Sequence, residues 1–320
     1  MHAASIIMLC WAMIGAACLC SAAAAAAAVI SLGVLVALVG VPHGAADHRF
    51  ARCRLEPVFG RAWLAVFAVG YPAIATLVVL GWVHAPSVTI VLFFLASACH
   101  FGQEEPRLAI GPRLLRPVFR FARGGLVMWA PLVFQGDEVA RHLAVVAPRG
   151  LGAESQGILD AATVWSWVML VTAAVAWGMQ GLVAMTAGRW RRRVLLVDNA
   201  MVGSLVMLFA VASPMIGFLV YFCGWHSARG LRRLRRELAE NWSQLALSLA
   251  PLTAGAIGLA VVLVCCAFPA VRWNDTVIRA TFLGLSAVAV PHLLLHGVAP
   301  LLATASPRQR HRPVHLGTTA

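Results

Sequence analysis

The segment that ends at Gly40 runs for roughly 35 residues without Asp, Glu, Lys or Arg, and apolar runs recur along the chain to about residue 303. Runs of ~18–20 such residues are what a helix needs to cross the hydrocarbon core of a bilayer. Composition agrees with that length argument: 61% of residues are hydrophobic, 12% are charged and mean hydropathy is +0.84. A soluble domain carries about a quarter charged residues. The expected fold class is all-α, a polytopic membrane helix bundle with about nine to ten transmembrane helices.

The apolar start of the chain is too long for one crossing. A single helix over it would measure ~50 Å against a hydrocarbon core of ~30 Å. Either two short spans meet near Ser21, or an N-terminal extension precedes one span at about 23–41. No basic residue precedes this stretch and no short apolar core stands apart from it, unlike a removable signal peptide. The remaining spans are expected near 62–83, 88–102, 118–135, 161–187, 194–211, 215–230, 245–268 and 280–303, with Ser213-Pro214 dividing an otherwise overlong segment. The organisation expected is an apolar extension or additional helix at 1–22, a membrane-embedded catalytic bundle at 23–303 and a basic cytoplasmic tail at 304–320.

All 25 basic residues are arginine, and the formal net charge is +13. They sit in the connections, where they fix topology and meet anionic lipid headgroups, so the partner expected is the bilayer and not nucleic acid. Arginine-rich connections (48–61, 103–117, 188–193, 229–236 and the tail) alternate with arginine-poor ones (84–87, 212–214, 269–279), and 136–160 is mixed. The positive-inside rule turns the arginine-rich ends toward the cytoplasm of the cell's inner membrane. The eight cysteines show no CxxC spacing and read as small apolar packing residues.

That topology brings histidines to one leaflet. His43 (in GVPHGAADH), His100 (in SACHFG) and His226 (in FCGWHS) end three different spans just before arginines. His292 and His296 lie four apart on one face of the last span, His296 at comparable depth and His292 about one turn deeper. Neutral imidazole binds iron, copper and zinc, and ionisable groups within membrane helices are costly and face the bundle interior. These residues form a candidate metal centre, although no local motif such as HExxH carries it. His2, His48, His84, His142, His311 and His315 lie near loops or termini and read as structural. Asp47, in a turn shaped by Pro42 and Gly44, is expected to fold back toward His43 and orient its imidazole.

The segments GVPHGAADH, SACHFGQEE, RGGLVMWAPLVF, YFCGWHSARGLRR and VPHLLLHG occur in an order that resembles bacterial Brp/Blh-type β-carotene 15,15′-dioxygenases, over about residues 25–303. The resemblance implies a membrane enzyme using iron(II), Fe(2+), that cleaves β-carotene at its central double bond with O2 to give two all-trans-retinal. Its ligands would match His43, His100 and His226. The family's second histidine after the WHS motif falls on Gly230 here, which leaves His292 or His296 as the fourth ligand, or an altered or inactive centre. Phe101, Trp129, Phe222 and Trp225, with Phe134, are expected to line a tunnel for an apolar substrate. The residues leave two rivals open: a histidine-containing transporter, which would show polar residues near mid-membrane as at Asp198 and Asn199, and a haem protein with two axial histidines.

Overall fold

The computed structural model describes residues 2–19, 30–103, 113–147, 153–267 and 273–297. Among them there is no strand, and six helical runs are long and apolar enough to cross a membrane: Ile30–His84, Pro86–Gln103, Gly157–Thr186, Arg191–Val211, Trp242–Val262 and Asn274–Gly297. The chain is a multi-pass all-α bundle, as its apolar runs predict. The junction near Ser21, Glu104, Glu105 and the 304–320 tail lie outside the described residues.

Helix α1 (His2–Leu19) buries Ile6, Cys10 and Ile14 in the central core and packs along α10 (Arg189–Val211). The run Ile30–His84 is not one rod. Helix α2 (residues 30–45) contains a π-helical stretch, Val36–Gly40, and a turn at Ala46 leads into α3 (Asp47–Phe59). Gly60 then adopts φ +56°, a conformation that glycine enters without a Cβ penalty. The chain folds back there, so that α4 (Trp63–His84) packs on α3 and brings Tyr71 to Asp47.

Helix α5 (Pro86–Gln103) meets α6 (Arg116–Gly124) at very short range. A Cβ at Gly124 would overlap the Ala98 carbonyl and the Gly102 backbone, and one at Gly102 would overlap the Arg120 carbonyl. The span expected at 118–135 is broken at Gly125 into α6 and α7 (Leu126–Phe134), because the Trp129 ring occupies the space a side chain at Gly125 would need. The connection expected at 136–160 contains a further helix, α8 (Gly136–Val146). Asp137 and Glu138 in its first turn favour the positive end of the helix dipole, and Val139, Leu143 and Val146 form one apolar face.

Helix α9 (Ala153–Thr186) and α10 carry the polar residues that stand out within the spans. Asp198 accepts from Arg123 at 2.6 Å and from Gln180 at 2.7 Å, and Arg123 also donates to Gln180 at 3.1 Å, all three side chains being buried. Asn199 is tied to the Trp177 carbonyl. Arg123, Gln180 and Asp198 satisfy one another between α6, α9 and α10, and Asn199 ties α10 to α9, so these groups join helices.

Helix α11 (residues 214–237) begins at Pro214 and includes a second π-helical stretch, Val220–Ser227. Helices α12 (Trp242–Ala267) and α13 (Trp273–Gly297) complete the bundle. The two π-helical stretches meet where a Cβ at Gly40 would come within 2.7 Å of Phe222. Such stretches add a residue to a turn and occur often at functional sites. Here each is followed within a turn, or contains, one of the histidines singled out above.

Candidate metal centre

His43 (α2), His100 (α5), His226 (α11) and His292 (α13) converge at one end of the bundle. Ring centroids lie 5.0 Å apart for His43 and His226, 5.3 Å for His226 and His100, 5.0 Å for His100 and His292, and 5.3 Å for His292 and His43. The four imidazoles therefore close a ring, one from each of four helices. His100, His226 and His292 are buried and His43 is half-buried.

The surroundings fix the rings. His292 Nδ1 lies 2.7 Å from Asp47 Oδ1, within a contact that is almost wholly enclosed. An ionised carboxylate only accepts, so the proton sits on Nδ1 and the lone pair of His292 on Nε2. Tyr71 donates to Asp47 Oδ2 at 2.8 Å, its hydroxyl also lying 3.0 Å from the Val288 carbonyl. Phe222 stacks on His226 at 5.8 Å and Phe101 meets its ring edgewise at 4.7 Å. The Nε2 atoms of His43, His100 and His292 are buried and make no hydrogen bond, although each ring has other contacts. Buried imidazole nitrogens that make no hydrogen bond are, by their chemistry, donors of the kind a divalent first-row metal takes.

His296 stands outside the ring. It is 4.4 Å from His292 and 6.4 Å from His100 by centroids, and its Nε2 lies 3.4 Å from Asp47 Oδ1. Donor atoms of Asp47, His292 and His296 fall within 4.8 Å of one another, close enough to suggest an ion shared among them. The 2.7 Å Asp47–His292 contact is a hydrogen bond, and Tyr71 occupies the other oxygen, so the carboxylate is already engaged. Asp47 orients His292 and not His43, a pairing that sequence could not show because 245 residues separate the two partners.

Gly230 lies directly against His43: a Cβ there would overlap the imidazole Cε1 and Nδ1 atoms. The His43 ring therefore fills the space that a side chain at Gly230 would need. Of the other aromatic residues, Phe101 and Phe222 line the adjoining cavity, whereas Trp129 and Trp225 do not. Trp129 packs over Gly125 and beside Phe121, and Trp225 lies under the Arg229 guanidinium at 5.3 Å. Phe134 is also absent from the lining and is partly exposed at the surface.

The cavity has a volume of about 360 Å³ and touches all four clustered histidines. Its walls are otherwise almost entirely apolar, with Phe218 and Phe222 continuing the aromatic ladder along α11 away from His226. Four clustered histidines at the end of an apolar cavity, inside a multi-pass helical bundle, define a membrane protein whose polar groups are gathered at one end of an otherwise apolar chamber. The chain belongs to the β-carotene 15,15′-dioxygenase family, whose sequence model matches residues 34–298. It is 26% identical over 273 residues to a β-carotene 15,15′-dioxygenase of the uncultured marine bacterium 66A03, covering 82% of this chain and 90% of that one. It is 28% identical over 247 residues to a probable β-carotene 15,15′-dioxygenase Blh of Halobacterium salinarum, covering 70% of each. No solved structure matches.

Proposed function

We propose that this protein cleaves β-carotene at its central 15,15′ double bond with O2, releasing two molecules of all-trans-retinal. Each oxygen atom of O2 ends in one new aldehyde, so the reaction balances without an external reductant. His43, His100, His226 and His292 would hold iron(II), which supplies Lewis-acid and redox activation of oxygen when bound. The observation that carries this reading is the closed ring of four imidazoles opening onto an apolar cavity.

The chain's own residues do the rest. Asp47 keeps the His292 ring in one tautomer, and Tyr71 keeps Asp47 in place. Phe101 and Phe222 wall the ring toward the cavity, exclude water and offer flat faces to a polyene. Holding the central bond against the centre replaces a rare encounter by a fixed orientation. In the reading proposed here, the arginine-rich ends, and the histidines with them, face the cytoplasm from the inner membrane.

Expression in a bacterial host that makes β-carotene provides the test. Loss of carotenoid colour with accumulation of retinal, and about one iron per purified chain without a haem Soret band, is the expected result. Persistent β-carotene with the protein present and iron-loaded would overturn the proposal.

A further inference from the structure

The cavity does not end as it begins. Helices α2, α5, α11 and α13 each line it with residues that precede their histidine, so it extends from the imidazole ring toward the opposite end of the bundle. At ~1.5 Å per residue, the lining stretch of α13 from Val277 to His292 covers roughly 22 Å. Helix α8 closes that far end. Arg279 Nε donates to the Val145 carbonyl at 2.9 Å, thirteen residues before His292 and so roughly 20 Å from it along the helix.

Two polar side chains line the cavity at this depth, His142 on α8 and Thr281 on α13, among Val139, Leu143, Val146 and Val277. His142 Nδ1 is buried and makes no hydrogen bond. Burial, and after it the neighbouring Arg141 guanidinium, push the His142 pKa down, against a smaller opposite effect of the Glu138 carbonyl one turn back. The imidazole is thus neutral and offers one donor and one acceptor. An apolar end ring seated there would offer nothing to the buried His142 Nδ1 or to the half-buried Thr281 hydroxyl, which carries a cost.

Thr281 precedes His292 by eleven residues, roughly 16 Å along the helix, a span comparable to half the length of an extended carotenoid. We infer that His142 and Thr281 receive an oxygen on the terminal ring, so that carotenoids bearing a hydroxyl or keto group there are substrates of this protein, preferred over β-carotene. The inference rests on the dioxygenase reading and narrows its substrate class. Neutral hydrogen bonds of this kind correspond to a preference of about tenfold.

The test compares zeaxanthin, with a hydroxyl on each end ring, and β-carotene as substrates of the iron-loaded full-length protein. The expected kcat/KM ratio favours zeaxanthin about tenfold, and the product is a hydroxylated retinal. His142→Leu, alone and with Thr281→Val, brings the ratio close to one, while His142→Gln, which keeps a donor and an acceptor, retains most of it. Iron content measured in each variant separates a changed end wall from a damaged centre. β-Carotene cleavage with no preference for zeaxanthin, or a ratio that His142→Leu leaves in place, overturns the inference while leaving the dioxygenase reading intact. If the iron-loaded protein cleaves neither carotenoid, the dioxygenase reading falls and this inference with it.

Discussion

Gly230 leaves the His43 ring the space it occupies. A methyl group at that position would overlap the His43 ring, so the glycine and the position of His43 are coupled. Gly→Ala inside a helix ordinarily stabilises by roughly 0.5–1 kcal/mol. Gly230→Ala is expected to do the opposite for the centre: His43 is displaced and bound iron falls by more than half, measured by elemental analysis of purified protein. Retention of full iron content would sink the coupling. Asp47 and His296 allow a second contrast. Outer partners of metal-bound histidines are worth ~10–100-fold in metal affinity, so Asp47→Asn weakens iron binding by about that factor in a competition titration, whereas His296→Ala changes it little. His43, His100 and His226 were legible in the sequence because each ends an apolar run beside arginines. The choice between His292 and His296 was not, since depth along a helix does not say which side of Asp47 a ring occupies.

At the scale of helices, the positions of most spans followed from apolar run length, and the exceptions have local causes. The break at Gly125 depends on a tryptophan ring filling the glycine's space, and α8 is too short and too mixed in charge to register as a span. Asp198 read in the sequence as a candidate mid-membrane group; its role became clear only with Arg123, 75 residues away. Removing one member of a buried ion pair costs about 3–5 kcal/mol, while replacing both by apolar residues of similar volume is often neutral. Arg123→Met is therefore expected to lower stability in detergent severely, and Arg123→Met combined with Asp198→Leu to recover much of the loss. A double variant as unstable as the single one would show that the pair does more than satisfy itself.

Across the whole molecule, the centre is assembled from helices far apart in sequence: α2, α5, α11 and α13 each contribute one imidazole. An ion bound by all four would tie together elements that otherwise touch mainly through apolar side chains, which gain little from one another in lipid compared with water. Metal binding to the folded state alone adds RT ln(1 + [L]/Kd), about 2.7 kcal/mol when free iron is a hundredfold above Kd. For a chain of this size that corresponds to a rise in Tm of roughly 4 °C. Thermal unfolding followed by circular dichroism should show this shift between chelated and iron-loaded protein. His100→Ala and His292→Ala should each abolish most of it, and His292→Ala, which leaves the buried Asp47 carboxylate without its imidazole, should also lower the unfolding temperature of the chelated protein. An unchanged iron-dependent shift in His292→Ala would show that α13 contributes no ligand, and the centre would then have to be closed by another group.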